Sequence, residues 1–311
     1  MKKIRENWVD AARGLAIYSV VLGHSIQYGT PQNYEFRANE VFQLIYGCHM
    51  PLFMILSGYL FWYSLNRYDL IHGILSKIKG IMIPCAAWGF LTWMCDVLLG
   101  GYSDISLGGY LRYTAFSNWF LWAVFYCSLY GFITKYLFRS HILGYIVLLC
   151  VNYIMPNIGN YSGTKRMLPF FIMGILLNQY NLLDKIKAIP KILLLLSLGG
   201  LYILTLRLGC IELITGTIGS ALVIVGFYRL SERYHFSVLR RLGEVSISIY
   251  LSTGIVFFFW IKEYFRISDS YRYLIKATYI FLMSIVLTGL SFVLSKLLQR
   301  NSVTNKLFMG R

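Results

Sequence analysis

Apolar runs of about 20 residues recur along almost the whole chain, and a helix of that length and composition crosses a bilayer core. The chain has 311 residues, of which 57% are hydrophobic and only 14% are charged. Soluble domains carry about 25% charged residues. We therefore predict an all-α integral membrane protein, a bundle of about ten transmembrane helices that forms one transmembrane domain over residues 1–311. The predicted spans are 9–29, 41–63, 81–99, 117–138, 141–155, 167–181, 190–206, 211–230, 244–262 and 274–298.

The distribution of positive charge predicts how these spans are oriented. Lys and Arg fall mainly in every second loop, beginning with the segment before the first span. Because cytoplasmic loops are enriched in Lys and Arg, both termini are expected to be cytoplasmic. The formal net charge of +16 is then a topology signal, and no nucleic-acid partner is expected. We expect a multi-pass protein of the inner (plasma) membrane, whose N-terminal segment is retained as the first span.

The first predicted span carries three ionisable residues, Asp10, Arg13 and His24. Such groups are costly inside a membrane and mark candidate functional sites. Arg13 and His24 are separated by about three helical turns, so they share a face and lie roughly 16 Å apart along the helix axis. An imidazole can take a proton from an alcohol or accept an acyl group, and a guanidinium can bind phosphate or polarise a carbonyl. The alternative is a structural Asp10–Arg13 pair at the membrane edge, in which Asp10 only orients Arg13.

The second predicted span adds two candidate substrate-binding residues, His49 and Ser57. His49 is expected at a depth similar to that of His24 if the first two spans pack together. Packing or hydrogen bonding explains this histidine equally well. Pro51 is expected to kink the helix, while Ser57 and Gly58 offer a small surface for close helix approach.

Two further substrate-binding candidates, Asn118 and Trp119, open the fourth predicted span on its outer side. A tryptophan at this level is a candidate platform for a sugar ring. The alternative is an ordinary member of the interfacial aromatic belt.

Five stretches together resemble the membrane acyltransferase-3 family, in its branch of sugar O-acetylases akin to fucose 4-O-acetylase. Arg13 is followed after ten residues by His24, and the HMPLF…SGYL run follows in the second span. The combination is specific, whereas each part alone is weak. One position departs from the family pattern, because Thr253 stands where many members have a histidine. The stretches are residues 10–25 (DAARGLAIYSVVLGHS), 49–61 (HMPLFMILSGYLF), 118–125 (NWFLWAVF), 168–174 (LPFFIMG) and 242–251 (LGEVSISIYL).

The resemblance implies an acyl-CoA donor on the cytoplasmic side and acyl transfer to a glycan or lipid-linked sugar. It also implies that His24 is the essential histidine and that Arg13 helps to bind or orient the donor. We expect acetyl-CoA to be the donor, with its phosphates near Arg13, Lys77 and Lys79. His24 would act as a general base or form an acyl-imidazole.

No permanently bound cofactor and no metal are expected, because the six cysteines lie in or beside apolar runs without metal-ligand spacing. The partners expected are acyl-CoA, a glycan or lipid-linked sugar acceptor, and the lipid bilayer. Two other classes of function stay open. One is a polysaccharide export or translocation protein without acyl transfer, and the other is a non-catalytic scaffold or sensor.

Overall fold

Every element that the structure describes is helical, which confirms the predicted all-α class. The computed structural model describes residues 6–29, 35–98, 101–138, 140–260 and 273–310, apart from the side chains of 35, 36, 255–260 and 273. The ends of the third and ninth predicted spans, at residues 99 and 261–262, lie outside these ranges. The α-helices are α1 (Asn7–Gly29), α2 (Glu40–Tyr46), α3 (His49–Arg67), α4 (Leu70–Lys77), α5 (Ile83–Leu98), α6 (Leu107–Phe116), α7 (Trp119–Leu137), α8 (His141–Ile154), α9 (Tyr161–Gln179), α10 (Leu182–Lys185), α11 (Lys191–Arg207), α12 (Glu212–Leu230), α13 (Ser237–Glu244), α14 (Ser246–Trp260), α15 (Tyr273–Leu298) and α16 (Ser302–Thr304).

Several helices are long and apolar enough to cross a membrane, so the chain is a multi-pass membrane protein. Within the described ranges five segments meet both conditions. The count of ten spans and the cytoplasmic position of both termini stay predictions. The five segments are Glu40–Arg67, Leu70–Leu98, Trp119–Leu137, Glu212–Leu230 and Leu274–Leu298.

The chain forms two compact units. The first unit comprises Met1–Phe53 and Lys187–Leu297, and the second comprises Met54–Ile186 and Leu298–Arg311. The prediction of one transmembrane domain covers both units and stays a prediction. Helix α3 begins in the first unit and continues in the second.

In the first unit, α1 packs against α12, α13 and α14. Its contact with α13 is made backbone to backbone through two glycines. A side chain at Gly14 would overlap the carbonyl of Leu239, and one at Gly243 would overlap the carbonyl of Asp10. Small residues allow such close approach between helices in membranes. The segment around Arg13 is therefore held directly against the start of the 242–251 stretch.

The segment predicted as the second span is interrupted between α2 and α3. Helix α2 ends at Tyr46, the chain turns at Gly47 and Cys48, and α3 begins at His49. The interruption agrees with the predicted kink at Pro51, because proline lacks the N–H that would bond to the carbonyl of Gly47, four residues earlier. Pro51 itself lies in the first turn of α3. A proline is tolerated there, since its missing N–H would have no partner within the helix.

Carbonyls at this interruption are bound by side chains of the same unit. Tyr202 of α11 donates to the carbonyl of Leu44, and Ser220 of α12 donates to that of Cys48 at 3.4 Å. The Tyr202 bond matters because a buried carbonyl without a partner costs about 1–3 kcal/mol. The Cys48 carbonyl also accepts from the backbone N–H of Leu52 at 2.8 Å, so Ser220 adds a second bond there. Side chains from α11 and α12 thus stabilise the break that sets where α3 begins.

In the second unit, α3 and α9 make a similar close contact. A side chain at Gly58 would overlap the carbonyl of Phe171, and one at Gly174 would overlap the carbonyl of Ile55. The predicted small surface at Ser57 and Gly58 is confirmed through Gly58.

Helix α9 begins six residues before the predicted span, at Tyr161, and runs through Pro169 to Gln179. A proline inside a helix removes the bond to the carbonyl four residues earlier, which here belongs to Lys165. The buried side chain of Asn152, from α8, donates to that carbonyl at 3.4 Å. A partner from a neighbouring helix therefore replaces the lost bond, and the helix continues through the proline.

Candidate functional site in the first unit

Helix α1 presents the three predicted catalytic residues on one uninterrupted helix of 23 residues. Asp10 is buried, at 6% exposure, whereas Arg13 and His24 are half-buried. Because the helix is unbroken, the predicted axial separation of Arg13 and His24, roughly 16 Å, applies in the structure.

Around Arg13, the structure joins two stretches that lie far apart in the sequence. The Arg13 guanidinium donates through Nη2 to the hydroxyl of Ser246 at 2.9 Å. Ser246 is the first residue of α14 and is almost fully buried, at 2% exposure. Since Gly243 also contacts the backbone of Asp10, the 10–13 and 242–246 segments form a single local structure. The predicted Asp10–Arg13 ion pair stays a prediction.

At the other end of α1, the His24 ring lies against two residues one turn further along the helix. Its Nδ1 is 3.3 Å from Oε1 of Gln27, and the ring stacks on that of Tyr28 with centroids 5.8 Å apart. An amide oxygen only accepts, so Nδ1 carries the proton in this arrangement. The lone pair of the neutral imidazole is then on Nε2, the atom that can act as a base.

The second histidine, His49, is buried at the start of α3, at 5% exposure. Its Nδ1 donates to the carbonyl of Ile45 at 2.9 Å, which again leaves the ring lone pair on Nε2. The Tyr46 ring lies between the two histidine-bearing helices. It is 4.5 Å from the His49 ring between centroids and packs on α1 at Gly23.

The two histidine-bearing helices meet through Tyr46, which contacts the His49 ring and packs on α1 at Gly23, one residue before His24. The structure therefore brings together the two histidines that the sequence predicts at similar depth. Both belong to the first unit, as does Arg13.

Two residues of this site, Gln27 and Tyr46, were missed in the sequence analysis. Each lies three residues from a histidine, Gln27 after His24 and Tyr46 before His49, and i,i+3 positions are neighbours on a helix. That spacing is a usable signal for Gln27. For Tyr46 the signal is obscured by the break between α2 and α3.

The other predicted substrate-binding residues belong to the second unit. Ser57 is half-buried in α3. Asn118 precedes α7 with a left-handed backbone, φ 55°, a conformation that asparagine tolerates better than most residues. The Trp119 ring packs against Gly163, and the Arg166 guanidinium lies 6.0 Å from its centre. Substrate binding by Ser57, Asn118 and Trp119 stays a prediction.

The two predicted phosphate-binding lysines, Lys77 and Lys79, also lie in the second unit. The Lys77 ammonium is 5.2 Å from the centre of the Phe61 ring, at cation–π distance. Lys79 lies in a single π-helical turn, Ile78–Met82. Their role towards the donor stays a prediction.

At the position where the family resemblance predicts a histidine, the Thr253 side chain is buried and donates to the carbonyl of Tyr250 at 2.8 Å. The Thr253 hydroxyl therefore makes its hydrogen bond within its own helix. Among the residues with described positions, no three His, Cys, Asp or Glu side chains are grouped to hold a metal, and all six cysteines are free thiols.

Taken together, the apolar helices define an all-helical membrane protein, and its first unit holds Arg13, His24 and His49. Residues 6–296 match the family model of an acyltransferase domain, that of acyltransferase-3. The chain belongs to the acyltransferase-3 family, which confirms the resemblance seen in the sequence.

Two curated relatives carry the name nodulation protein NolL. The protein from Sinorhizobium fredii is 30% identical over 184 residues, which cover 56% of this chain and 49% of the relative. The one from Mesorhizobium japonicum is 31% identical over 129 residues, or 37% of this chain and 32% of the relative. The matched part thus spans about half the length of the first relative and about a third of the second. No solved structure matches the chain.

Proposed function

We propose that this protein is an integral membrane O-acyltransferase that transfers acetyl from cytoplasmic acetyl-CoA to a sugar hydroxyl. The acceptor is a surface glycan or its lipid-linked precursor, and the protein resides in the inner (plasma) membrane. Membership of the acyltransferase-3 family supports group transfer. The helical, apolar character of the chain supports a reaction carried out within the bilayer.

The observation that carries the proposal is the arrangement of α1. Arg13 is held by Ser246 near one end of the helix, and His24 lies beside Gln27 near the other. Their separation of roughly 16 Å is similar to the length of an extended pantetheine arm. Arg13 would hold the phosphate end of CoA while the thioester reaches His24, so that binding itself aligns the reacting groups.

In the first of two routes, Nε2 of His24 takes the proton from the acceptor hydroxyl as its oxygen attacks the thioester carbonyl. The carbon–sulfur bond then breaks, and the CoA thiolate leaves and takes up the proton from His24. In the second route, Nε2 attacks the thioester carbonyl first, the carbon–sulfur bond breaks and the CoA thiolate leaves. The sugar oxygen then attacks the acyl-imidazole, the carbon–nitrogen bond breaks, and the hydroxyl proton passes to the thiolate. The Gln27 contact favours the tautomer that both routes need.

The remaining predicted residues take supporting roles in this proposal. Asp10 orients Arg13, and His49 assists at the acceptor side of His24. Lys77 and Lys79 contribute positive charge towards the CoA phosphates. Ser57, Asn118 and Trp119 bind the acceptor.

The test is acetyl transfer from labelled acetyl-CoA in membranes that contain the full chain. His24→Ala is expected to reduce transfer by at least about 10²-fold, since general acid–base catalysis contributes about 10²–10⁴-fold. His235→Ala is the matched control, because His235 is exposed in the loop before α13. Full activity in a normally inserted His24→Ala protein would exclude the proposed role of His24.

The export alternative gives a different result in the same membranes. An exporter changes the amount of glycan at the surface without any acetyl-CoA-dependent change in its mass. Mass spectrometry of surface glycans with and without the protein therefore separates the two functions.

A further inference from the structure

The second unit contains an open cavity of about 460 Å³, and none of its lining residues has been given a role in the reaction above. Its volume lies within the range of ligand pockets, about 300–1,000 Å³. Most of its lining is apolar, with a few polar groups. The lining residues are Tyr102, Arg112, Tyr113, Phe116 and Ser117.

Aromatic rings form one side of this cavity, which we call the α6 cavity. Tyr113 and Phe116 are three residues apart on α6 and therefore lie on the same face of the helix. The Tyr102 ring meets Tyr113 edge to face, with centroids 5.4 Å apart. Phe116 is 62% exposed, which leaves most of its ring available to a ligand. An exposed aromatic face of this kind suits the apolar C–H face of a sugar ring.

The charge inside the cavity is already compensated. Arg112 donates through Nη2 to Oδ2 of Asp104 at 2.8 Å, and through Nε to the carbonyl of Gly108 at 3.4 Å. Since a guanidinium has five N–H donors, others stay available for a ligand. The Arg112–Asp104 pair is neutral overall, so it offers hydrogen-bond donors but does not attract an anion. The cavity therefore favours a neutral, hydroxyl-rich ligand over a phosphate.

The Tyr113 hydroxyl adds a second polar group. Among the described residues it has no hydrogen-bond partner. Burial, and then the charge of Asp96, raises the pKa of Tyr113 to about 12, so the phenol is protonated at neutral pH and can donate. The cavity thus combines aromatic faces with neutral or compensated donors, as recognition of a sugar requires.

The cavity also adjoins predicted acceptor residues. Ser117, which lines the cavity, accepts a hydrogen bond from Asn118 Nδ2 at 3.4 Å, and Trp119 begins the next helix. On the predicted topology this edge of the second unit faces the outer side of the membrane. We infer that the α6 cavity is a binding subsite for a neutral sugar ring of the acceptor glycan, with Phe116 as its platform; this rests on the proposed acetyl transfer to sugar.

The inference is tested on the full-length protein in detergent micelles, in the absence of acetyl-CoA. Binding of methyl hexosides and methyl 6-deoxyhexosides is followed by saturation-transfer NMR. Phe116→Ala is expected to weaken glycoside binding about tenfold, which corresponds to about 1.4 kcal/mol, and Phe116→Trp is expected to retain it. Tyr153→Ala is the control, because Tyr153 is an aromatic residue with 85% exposure outside the cavity.

In the transfer reaction, Phe116→Ala should raise the KM for the acceptor about tenfold and leave the KM for acetyl-CoA unchanged. Glycoside binding that does not respond to Phe116→Ala or Arg112→Gln would overturn the inference. Failure of every glycoside to bind the unmodified protein, or displacement by a polyprenyl phosphate alone, would also overturn it. Binding at the cavity without any acetyl transfer would instead contradict the proposed function and leave the sugar site standing.

Discussion

Replacing Ser246 by alanine is expected to weaken the use of acetyl-CoA without affecting the acceptor. Ser246 is buried at the start of α14, and its hydroxyl accepts from the Arg13 guanidinium at 2.9 Å. In the proposed reaction Arg13 holds the phosphate end of the donor, so loosening the guanidinium acts on the donor first. The substitution removes one oxygen atom and adds no bulk.

The size of this effect follows from the hydrogen bond that is lost. A bond to a charged group contributes about 1.5–3 kcal/mol, and 1.4 kcal/mol corresponds to a tenfold change in affinity. Other interactions of Arg13 still restrain its side chain, so the lower end of the range applies. We expect the KM for acetyl-CoA to rise about tenfold and the KM for the acceptor to stay within twofold of its original value.

The assay is the initial rate of acetyl transfer in membrane vesicles, with acetyl-CoA and acceptor varied separately. Ser252→Ala provides a matched control on the same helix, because among the described residues its buried hydroxyl bonds to its own helix, at the carbonyl of Ile249, at 3.2 Å. An unchanged KM for acetyl-CoA in Ser246→Ala, or a rise confined to the acceptor KM, would refute the link between Ser246, Arg13 and the donor.

Two further predictions concern stability, and both are measured as the free energy of unfolding in detergent. Gly243→Ala is expected to lower the free energy of unfolding by about 1–3 kcal/mol, because the added methyl group overlaps the backbone of α1. Gly199→Ala is the control, because Gly199 faces open space on α11, and it should leave the stability unchanged. Equal effects of the two substitutions would contradict this reasoning. Asn152→Leu should cost about 1–3 kcal/mol, because it leaves the Lys165 carbonyl without its partner and also removes the acceptor of the Tyr161 hydroxyl. That cost should shrink in a Pro169→Ala background, where the helix supplies the bond itself; an undiminished cost would show that Asn152 acts through other contacts.

Several helix positions could be predicted closely, because hydropathy is a local property of the sequence. Helices α7, α8 and α12 begin and end within two residues of the predicted spans 117–138, 141–155 and 211–230. The errors arise where a tertiary contact changes the effect of a proline. Pro169 suggests a helix edge when read alone, and only the hydrogen bond from Asn152 of another helix explains why α9 continues through it.

One part of the candidate site could be predicted from the sequence, and another could not. His24 and His49 belong to consecutive predicted spans, and consecutive helices often pack together, so their proximity could be predicted. The bond between Arg13 and Ser246 joins residues that are 233 positions apart. No local pattern predicts that pairing, although both residues fall in stretches that carry the family resemblance.

The break between α2 and α3 limits how far the His49 segment could be moved into another protein and keep its imidazole orientation. His49 bonds to the carbonyl of Ile45 at the end of α2, and the adjoining carbonyls are held by Tyr202 and Ser220. The orientation of the imidazole is therefore specified by residues that lie more than 150 positions downstream. A fragment or chimera that contains the HMPLF segment without α11 and α12 would carry His49. It would lose the hydrogen bonds from Tyr202 and Ser220 that hold the imidazole in its orientation.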